Sequence, residues 1–132
     1  MYKNSGDLAV KGSIAYMSQD AFLTNNTIRN NILFGNSYEK KLYEEVLNIC
    51  QLKPDINILE GKDQTEIGER GINLSGGQKQ RISIARAVYS NADIFLMDDS
   101  LSALDAFVSK SIFEDVLRNK LKDKTRILVT HG

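Results

Sequence analysis

Apolar residues follow two different spacings along this chain of 132 residues, and each spacing predicts one kind of element. Short uninterrupted apolar runs, which are typical of strands buried on both faces, occupy residues 94–97 and 127–129. The segment GSIAYMS, residues 12–18, has a similar strand-like composition. Helical segments lie between these runs, which is the arrangement of an α/β fold.

Three helices are predicted from capping residues and helical spacing. Residues 27–34 predict a short helix that Thr27 can cap, and residues 38–52 predict a longer one that Pro54 ends. Asp105 can cap a third helix near the end of the chain. We expect the apolar faces of the second and third helices to pack in the core; they comprise Leu42, Val46, Ile49 and Cys50, and then Val108, Ile112, Phe113, Val116 and Leu117.

Charge and composition narrow the class of protein. Lysine plus arginine and aspartate plus glutamate number 17 each, so no long-range field favours a nucleic acid or an anionic membrane surface as partner. No apolar stretch approaches the roughly 20 residues of a membrane span, and the polar start of the chain does not predict a signal peptide. The single cysteine, Cys50, excludes an internal disulfide and fits a cytosolic setting.

The run LSGGQKQR, residues 74–81, has the layout of a helix start that can bind an anion. Gly76 and Gly77 lack a Cβ atom, so an anion can approach their backbone closely. The first amides of a helix have no internal partners, and the helix dipole favours negative charge there. Ser75 can cap the helix or donate its hydroxyl to the same anion. The run alone would also fit an ordinary capped helix with a flexible turn.

Two carboxylates and the only histidine follow the apolar runs. Asp98 and Asp99 come at the carboxyl end of the first run, where ligands bind in open α/β sheets, and aspartate suits Mg²⁺ bound together with phosphates. The simpler alternative is that the pair caps the next turn. His131 follows the second run, where an imidazole can reach a phosphate or an attacking water.

Taken together, these motifs resemble the nucleotide-binding domain of an ABC transporter, in the family's order and spacing over nearly the whole chain. LSGGQKQR resembles the family's signature motif, and IFLMDD, residues 94–99, resembles its Walker B strand. The further matches are SALD at residues 102–105 to the D-loop, TEIGERG at residues 65–71 to the exporter X-loop, Gln19 to the Q-loop glutamine and His131 to the switch histidine.

The resemblance implies ATP and Mg²⁺ as ligands, with each ATP site shared between two such domains. The residues that would serve this domain's own ATP are Gln19, Asp98, Asp99 and His131, with Asp98 and Gln19 at the metal and Asp99 and His131 in catalysis. The residues that would bind the partner domain's ATP are Leu74, Ser75, Gly76, Gly77 and Gln78. The implied partners are therefore a second nucleotide-binding domain and the transmembrane domains of the same transporter, not a nucleic acid.

Four further residues are interface candidates through the same resemblance. Ser102 and Asp105 belong to the D-loop, which crosses to the partner domain in this family. Glu66 and Glu69 of the X-loop, together with the partly apolar residues 21–24, match the region that meets a coupling helix of the membrane domain. We expect the parent protein to hold this domain at the cytosolic face of a membrane.

The finer match is to the C subfamily, the multidrug-resistance-associated type, and to the first of its two nucleotide-binding domains. DDSLSALDA, residues 98–106, is similar to the DDPLSAVDA of that group. Two departures stand out. No segment fits the Walker A pattern G-x-x-x-x-G-K-[ST], which predicts a partial chain or a truncated gene. Asp99 stands where hydrolytic members have glutamate, and a carboxylate misplaced by about 1 Å can cost roughly 10²-fold in rate.

The sequence therefore predicts an α/β fragment of the P-loop ATPase core with an inserted helical subdomain. Residues 25–74 would form that subdomain and the X-loop, and residues 75–132 would carry the signature helix, Walker B, D-loop and switch histidine. The predicted function is that of the ATP-binding and ATP-hydrolysing domain of an exporter, inactive as this fragment alone. A nucleotide-gated channel or channel regulator, or a non-functional remnant, remains as an alternative. Soluble chromosome-type and translation-type ABC proteins are disfavoured by the short interval between residues 19 and 74 and by the X-loop.

Overall fold

The computed structural model describes residues 13–17, 21–69, 71–98, 101 and 104–129. Strands and helices alternate along them, which confirms the predicted α/β class. In chain order the elements are β1 (Ile14–Met17), β2 (Asn26–Thr27), α1 (Ile28–Leu33), α2 (Lys40–Ile49), α3 (Lys53–Asn57), a 3₁₀ turn (Lys62–Gln64), β3 (Glu66–Ile67), α4 (Gly76–Tyr89), β4 (Ile94–Asp98), α5 (Ala106–Ile112), a π-helical segment (Phe113–Lys120) and β5 (Thr125–Val129).

A parallel sheet in the order β1-β4-β5 forms the main layer. Phe95 and Met97 of β4 are buried, whereas Ile94 and Leu96 on the alternate side are half-buried. The prediction of a strand buried on both faces is therefore wrong for β4. The reason is that the described residues leave this second side of the sheet partly open, and Tyr16 of β1 on the same side is also exposed.

Helix α4 connects the sheet to the smaller helices, because it packs against β1, α1 and α2. Apolar side chains cover most of its length, including the fully buried Ile84, Ala85 and Val88. The small antiparallel pair β2–β3 lies beside α1, where the amide of Ile28 donates to the carbonyl of Thr65. Among the described residues, no helix is long and apolar enough to cross a membrane.

The apolar face of α2 is rotated relative to the prediction. Val46 and Cys50 are buried as expected, but Leu42 and Ile49 are only half-buried. Tyr43 and Leu47 complete the buried face instead, at the i, i+3, i+4, i+7 spacing of one helical stripe. The Tyr43 ring can be buried because its hydroxyl donates to the Asp63 carboxylate at 2.7 Å.

Two further helix predictions need correction. Helix α2 ends before Gln51, which adopts a left-handed φ of 60°. Pro54 therefore does not end α2; it lies in the first turn of α3, where the backbone N–H that proline lacks would have no intrahelical partner. In the last helical stretch, Ile112, Val116 and Leu117 are buried and Val108 packs against them, but Phe113 is exposed. The π-helical winding after Ile112 changes the spacing, so the five predicted positions do not share one face.

Candidate functional site

The helix start at Ser75 has the geometry that the sequence predicts. The Oγ atom of Ser75 accepts from the Gln78 amide at 3.1 Å, and the Ser75 amide donates to Gln78 Oε1 at 2.9 Å. This reciprocal pair is a capping box, and it fixes the first turn of α4. The oxygen of Ser75 is used as an acceptor, so its hydroxyl proton can still be donated outward.

The surface of this turn is open to an incoming ligand. Ser75 and Gly76 are exposed, and a Cβ atom added at Gly76 would meet no atom within 4 Å. The amides of Gly76 and Gly77 have no intrahelical partner, and they lie at the positive end of a 14-residue helix. Leu74 is half-buried against the core and anchors the turn from the other side. The arrangement is that of an anion site built from backbone amides and one hydroxyl.

Asp98 ends β4 at the carboxyl edge of the parallel sheet, where it is half-buried. The hydroxyl of Tyr16 donates to its Oδ2 atom at 3.3 Å. Desolvation and then the Asp98 charge raise the pKa of Tyr16, so this phenol remains a donor. A carboxylate at a strand end suits Mg²⁺, which binds through one or two carboxylates, waters and phosphate oxygens.

Four predicted site residues lie outside the described residues. They are Gln19, Asp99, Ser102 and His131. Their assignment remains a prediction from the sequence. Asp105 is described, and its Oδ1 atom accepts from the Val108 amide at 2.8 Å, which confirms it as the cap of α5.

The two segments predicted to meet a membrane domain line one groove. Residues 21–24 and the pair Gly68 and Glu69 are two of the segments that line it, and these two segments are its walls. Leu74 and Lys79, in and just after the signature turn (residues 74–78), also line it, and the volume is about 430 Å³. Phe22 in the lining is 67% exposed. The groove thus brings Glu69 together with Leu74, whereas Ser75 and Asp98 do not line it.

A short ribbon holds the groove walls together. Strands β2 and β3 pair Asn26 with Ile67 and Thr27 with Glu66, and the Asn25 side chain accepts from the Glu69 amide at 3.3 Å. Glu66 itself is exposed on β3, beside the groove. Its carbonyl accepts from Ile72 at 3.1 Å, so the X-loop folds back just before the signature turn.

The sequence reasoning missed two polar residues that organise this region. Asn31 is fully buried and bonds the backbone of Thr24 and Thr27, which fixes the loop that forms the first groove wall. A polar residue between Ile28 and Ile32 on a short helix was the available signal. Asp55 bonds both Gln78 and Arg81 of α4. The sequence gives no signal for the role of Asp55, because an acidic residue in the first turn of a helix, here next to Pro54, is ordinary.

Comparison with known proteins gives consistent results. The family model described as "ABC transporter" matches residues 3–102. The chain is 60% identical over 98% of its length to ABC transporter C family member 8 of Dictyostelium discoideum. It is 55% identical over its whole length to multidrug resistance protein mrp-7 of Caenorhabditis elegans, and 54% identical to ATP-binding cassette sub-family C member 3 of Homo sapiens. It spans only 8–9% of the length of these relatives.

Proposed function

This chain belongs to the ABC transporter family, as part of an ATP-binding cassette of the C-subfamily type, and from that premise we propose that its whole protein exports a solute at the expense of ATP. In this proposal, two cassettes close over shared ATP and reopen after hydrolysis, and membrane domains follow the cycle. The DDSLSALDA pattern supports the first of the two cassettes. The transported solute is not specified by these residues.

The observation that carries the proposal is the open start of α4. Exposed Ser75 and Gly76 and half-buried Gly77 form a helix N-terminus with a hydroxyl and free amides, which is the arrangement that binds phosphate oxygens. Ser75, Gly76 and Gly77 would bind the terminal phosphate of ATP held by the second cassette. Leu74 and Gln78 would hold the turn in place from its two ends.

The cassette's own ATP side would be built around the carboxyl edge of the sheet. Asp98 would hold Mg²⁺ together with Gln19, and the bound ion would neutralise phosphate charge. Asp99 and His131 would orient the attacking water and the terminal phosphate. No segment of the chain fits the Walker A pattern, so we expect the chain alone not to hydrolyse ATP.

The two ATP sites would not be equal. The signature turn of this cassette has every residue that the second cassette's ATP requires. Asp99, by contrast, is one methylene shorter than the glutamate of hydrolytic sites, and a misplacement of about 1 Å can cost roughly 10²-fold in rate. This cassette would therefore complete a fast hydrolysis site at the second cassette's ATP, whereas the site at its own ATP would be slow.

The groove between residues 21–24 and Glu69 would receive a coupling segment of the membrane domain. Its size and its exposed Phe22 suit the end of an amphipathic helix, and Glu69 in the lining, which also includes Lys79, could pair with a basic residue of that helix. The ribbon β2–β3 and the fold-back at Ile72 connect this groove to the signature turn through backbone hydrogen bonds. Ser102 and Asp105 would contact the second cassette.

The proposal can be tested by ATPase assays on the full-length protein reconstituted in lipid vesicles. Ser75→Arg fills the anion site with a bulky side chain, and we expect a loss of about 10²-fold or more in turnover. Ser90→Arg, at the exposed opposite end of the same helix, is the matched control and should leave turnover unchanged. Asp99→Glu should raise turnover. Equal rates for the two arginine variants would overturn the role of the signature turn.

A further inference from the structure

One carboxylate behind the signature turn has no role in the function proposed so far. Asp55 lies on α3, and its Oδ1 atom accepts from Gln78 Nε2 at 3.1 Å. Its Oδ2 atom accepts from Arg81 Nη1 at 2.6 Å. Arg81 also donates to the carbonyl of Gln51, at the junction of α2 and α3. Asp55 thus joins Gln78 and Arg81, in the first two turns of α4, to helix α3.

The chemistry of a carboxylate sets the orientation of the Gln78 amide. An ionised aspartate can only accept hydrogen bonds, so Gln78 must turn its NH₂ group toward Asp55. Its Oε1 atom then points to the Ser75 amide, with which it closes the capping box at 2.9 Å. Asp55 therefore determines, through Gln78, which hydrogen bond holds the serine of the anion site.

Hydrogen bonds and a neighbouring charge keep Asp55 in its ionised form, against the effect of burial. The side chains of Asp55 and Arg81 are 27% and 13% exposed. Burial would raise the pKa of Asp55, but hydrogen bonds from Arg81 and Gln78 and the Arg81 charge lower it below its ordinary value. At neutral pH the carboxylate is thus a fixed acceptor for both partners.

We propose that Asp55 is a positioning residue for ATP hydrolysis, which acts through Gln78 to hold Ser75 and the following amides in register with the bound phosphate. This inference rests on the proposed function of the signature turn. It gives α3 a positioning role at the ATP site of the second cassette, although no atom of α3 would contact the nucleotide. A purely structural residue would change stability without changing the rate of the folded protein.

Asp55→Asn is the discriminating substitution. It preserves shape, but one of the two acceptor positions now carries an NH₂ group. The 2.6 Å bond from Arg81 Nη1 is shorter than the bonds to the other oxygen, 3.1 Å from Gln78 and 3.3 Å from Arg81 Nη2, so the new carbonyl oxygen would take the Oδ2 position. The new amide group would then face Gln78, and the Gln78 side chain would have to rotate so that its Oε1 atom accepts from that group. Gln78 would consequently turn an NH₂ group toward the Ser75 amide, donor against donor, and the capping box would open. Asp55→Glu keeps an acceptor at this place on a longer side chain.

The measurement is steady-state ATP hydrolysis by the full-length protein, well below its unfolding temperature. We expect Asp55→Asn to lower kcat about tenfold, less than the roughly 10²-fold cost of a 1 Å misplacement, and to leave the apparent KM for ATP unchanged. Asp55→Glu should recover part of the rate. Glu44→Gln is the matched control, since it breaks the exposed ion pair to Lys53 of the same helix α3 without approaching α4.

Failure of the positioning role of Asp55 can be distinguished from failure of the proposed function. In a Gln78→Ala background, Asp55→Asn should change kcat no further than Glu44→Gln does. If Asp55→Asn matches the control in the native background, or lowers stability with kcat intact, the positioning role is refuted while Ser75→Arg still tests the anion site. If Ser75→Arg is itself neutral, the proposed function fails first.

Discussion

Asn31 offers a quantitative test of how the groove wall is held. Its Oδ1 atom accepts from the amide and the hydroxyl of Thr24 at 2.8 and 3.1 Å. Its Nδ2 atom donates to the carbonyls of Thr24 and Thr27 at 3.1 and 2.9 Å. Asn31→Asp keeps the two accepted bonds but replaces the donor by an oxygen that faces the carbonyls of Thr24 and Thr27 and, at 3.5 Å, that of Asn26. The substitution therefore changes polarity at nearly constant volume.

The expected cost follows from the two shorter of the lost bonds, those to Thr24 and Thr27. Each buried hydrogen bond contributes about 1 kcal/mol net, and an unsatisfied buried partner costs about 1–3 kcal/mol, so we expect the local unfolding free energy to fall by about 2–4 kcal/mol. A loss of about 2.8 kcal/mol corresponds to roughly 10²-fold faster amide exchange, at 1.4 kcal/mol per factor of ten. The effect should be confined to the loop and the start of α1.

Hydrogen–deuterium exchange of the full-length protein, read by mass spectrometry on peptides covering residues 21–34, measures this directly. Asn30→Asp is the matched control, because Asn30 is the adjacent residue, exposed, and bonded only to surface partners. We expect it to change protection by less than about 0.5 kcal/mol. Equal loss of protection in the two variants would show that the buried amide network does not hold the wall.

Two further predictions concern the core and the X-loop. Burial raises the pKa of Cys50 to about 12, so the thiolate is scarce at pH 8. Iodoacetamide should therefore label the peptide containing Cys50 only after denaturation, and rapid labelling of the native protein would contradict its burial. Gly71→Ala would place a Cβ atom 2.1 Å from the carbonyl oxygen of Glu66, and we expect it to destabilise the X-loop by about 1–3 kcal/mol, measured as exchange of residues 65–74. Gly61→Ala is the control, since its Cβ would come closest to the rotatable Thr65 hydroxyl, at 3.0 Å, and would meet Thr65 backbone atoms only at the ordinary distances of 3.6 and 3.7 Å. The same loss there would point to a general glycine effect.

Motif order and element type were predictable from the sequence because they are local properties. The Ser75 cap, the Thr27 cap and the strand at residues 94–97 depend on residues within a few positions of each other, and all three are confirmed. The family resemblance rested on the same local runs, and the comparisons confirm the family.

Properties set by distant contacts were not predictable in this way. Tyr43 was not among the predicted core residues, and the acceptor for its buried hydroxyl is Asp63, 20 positions further on. Phe113 was placed in the core because the spacing assumed an α-helix, whereas the chain winds more widely there. The partners of Asp55 lie 23 and 26 positions away and have no signature in local pattern.

The ribbon β2–β3 also has a consequence for how this cassette can vary. The chain leaves the ribbon at Ile28 and returns at Thr65, and a hydrogen bond of 3.0 Å joins these two points. Residues 28–65 therefore form a closed excursion with fixed ends, and added residues in a surface turn of it would cost only the slowly growing entropy of a longer loop. Residues 28–65 can thus tolerate a change in length while the groove and the signature turn keep their register.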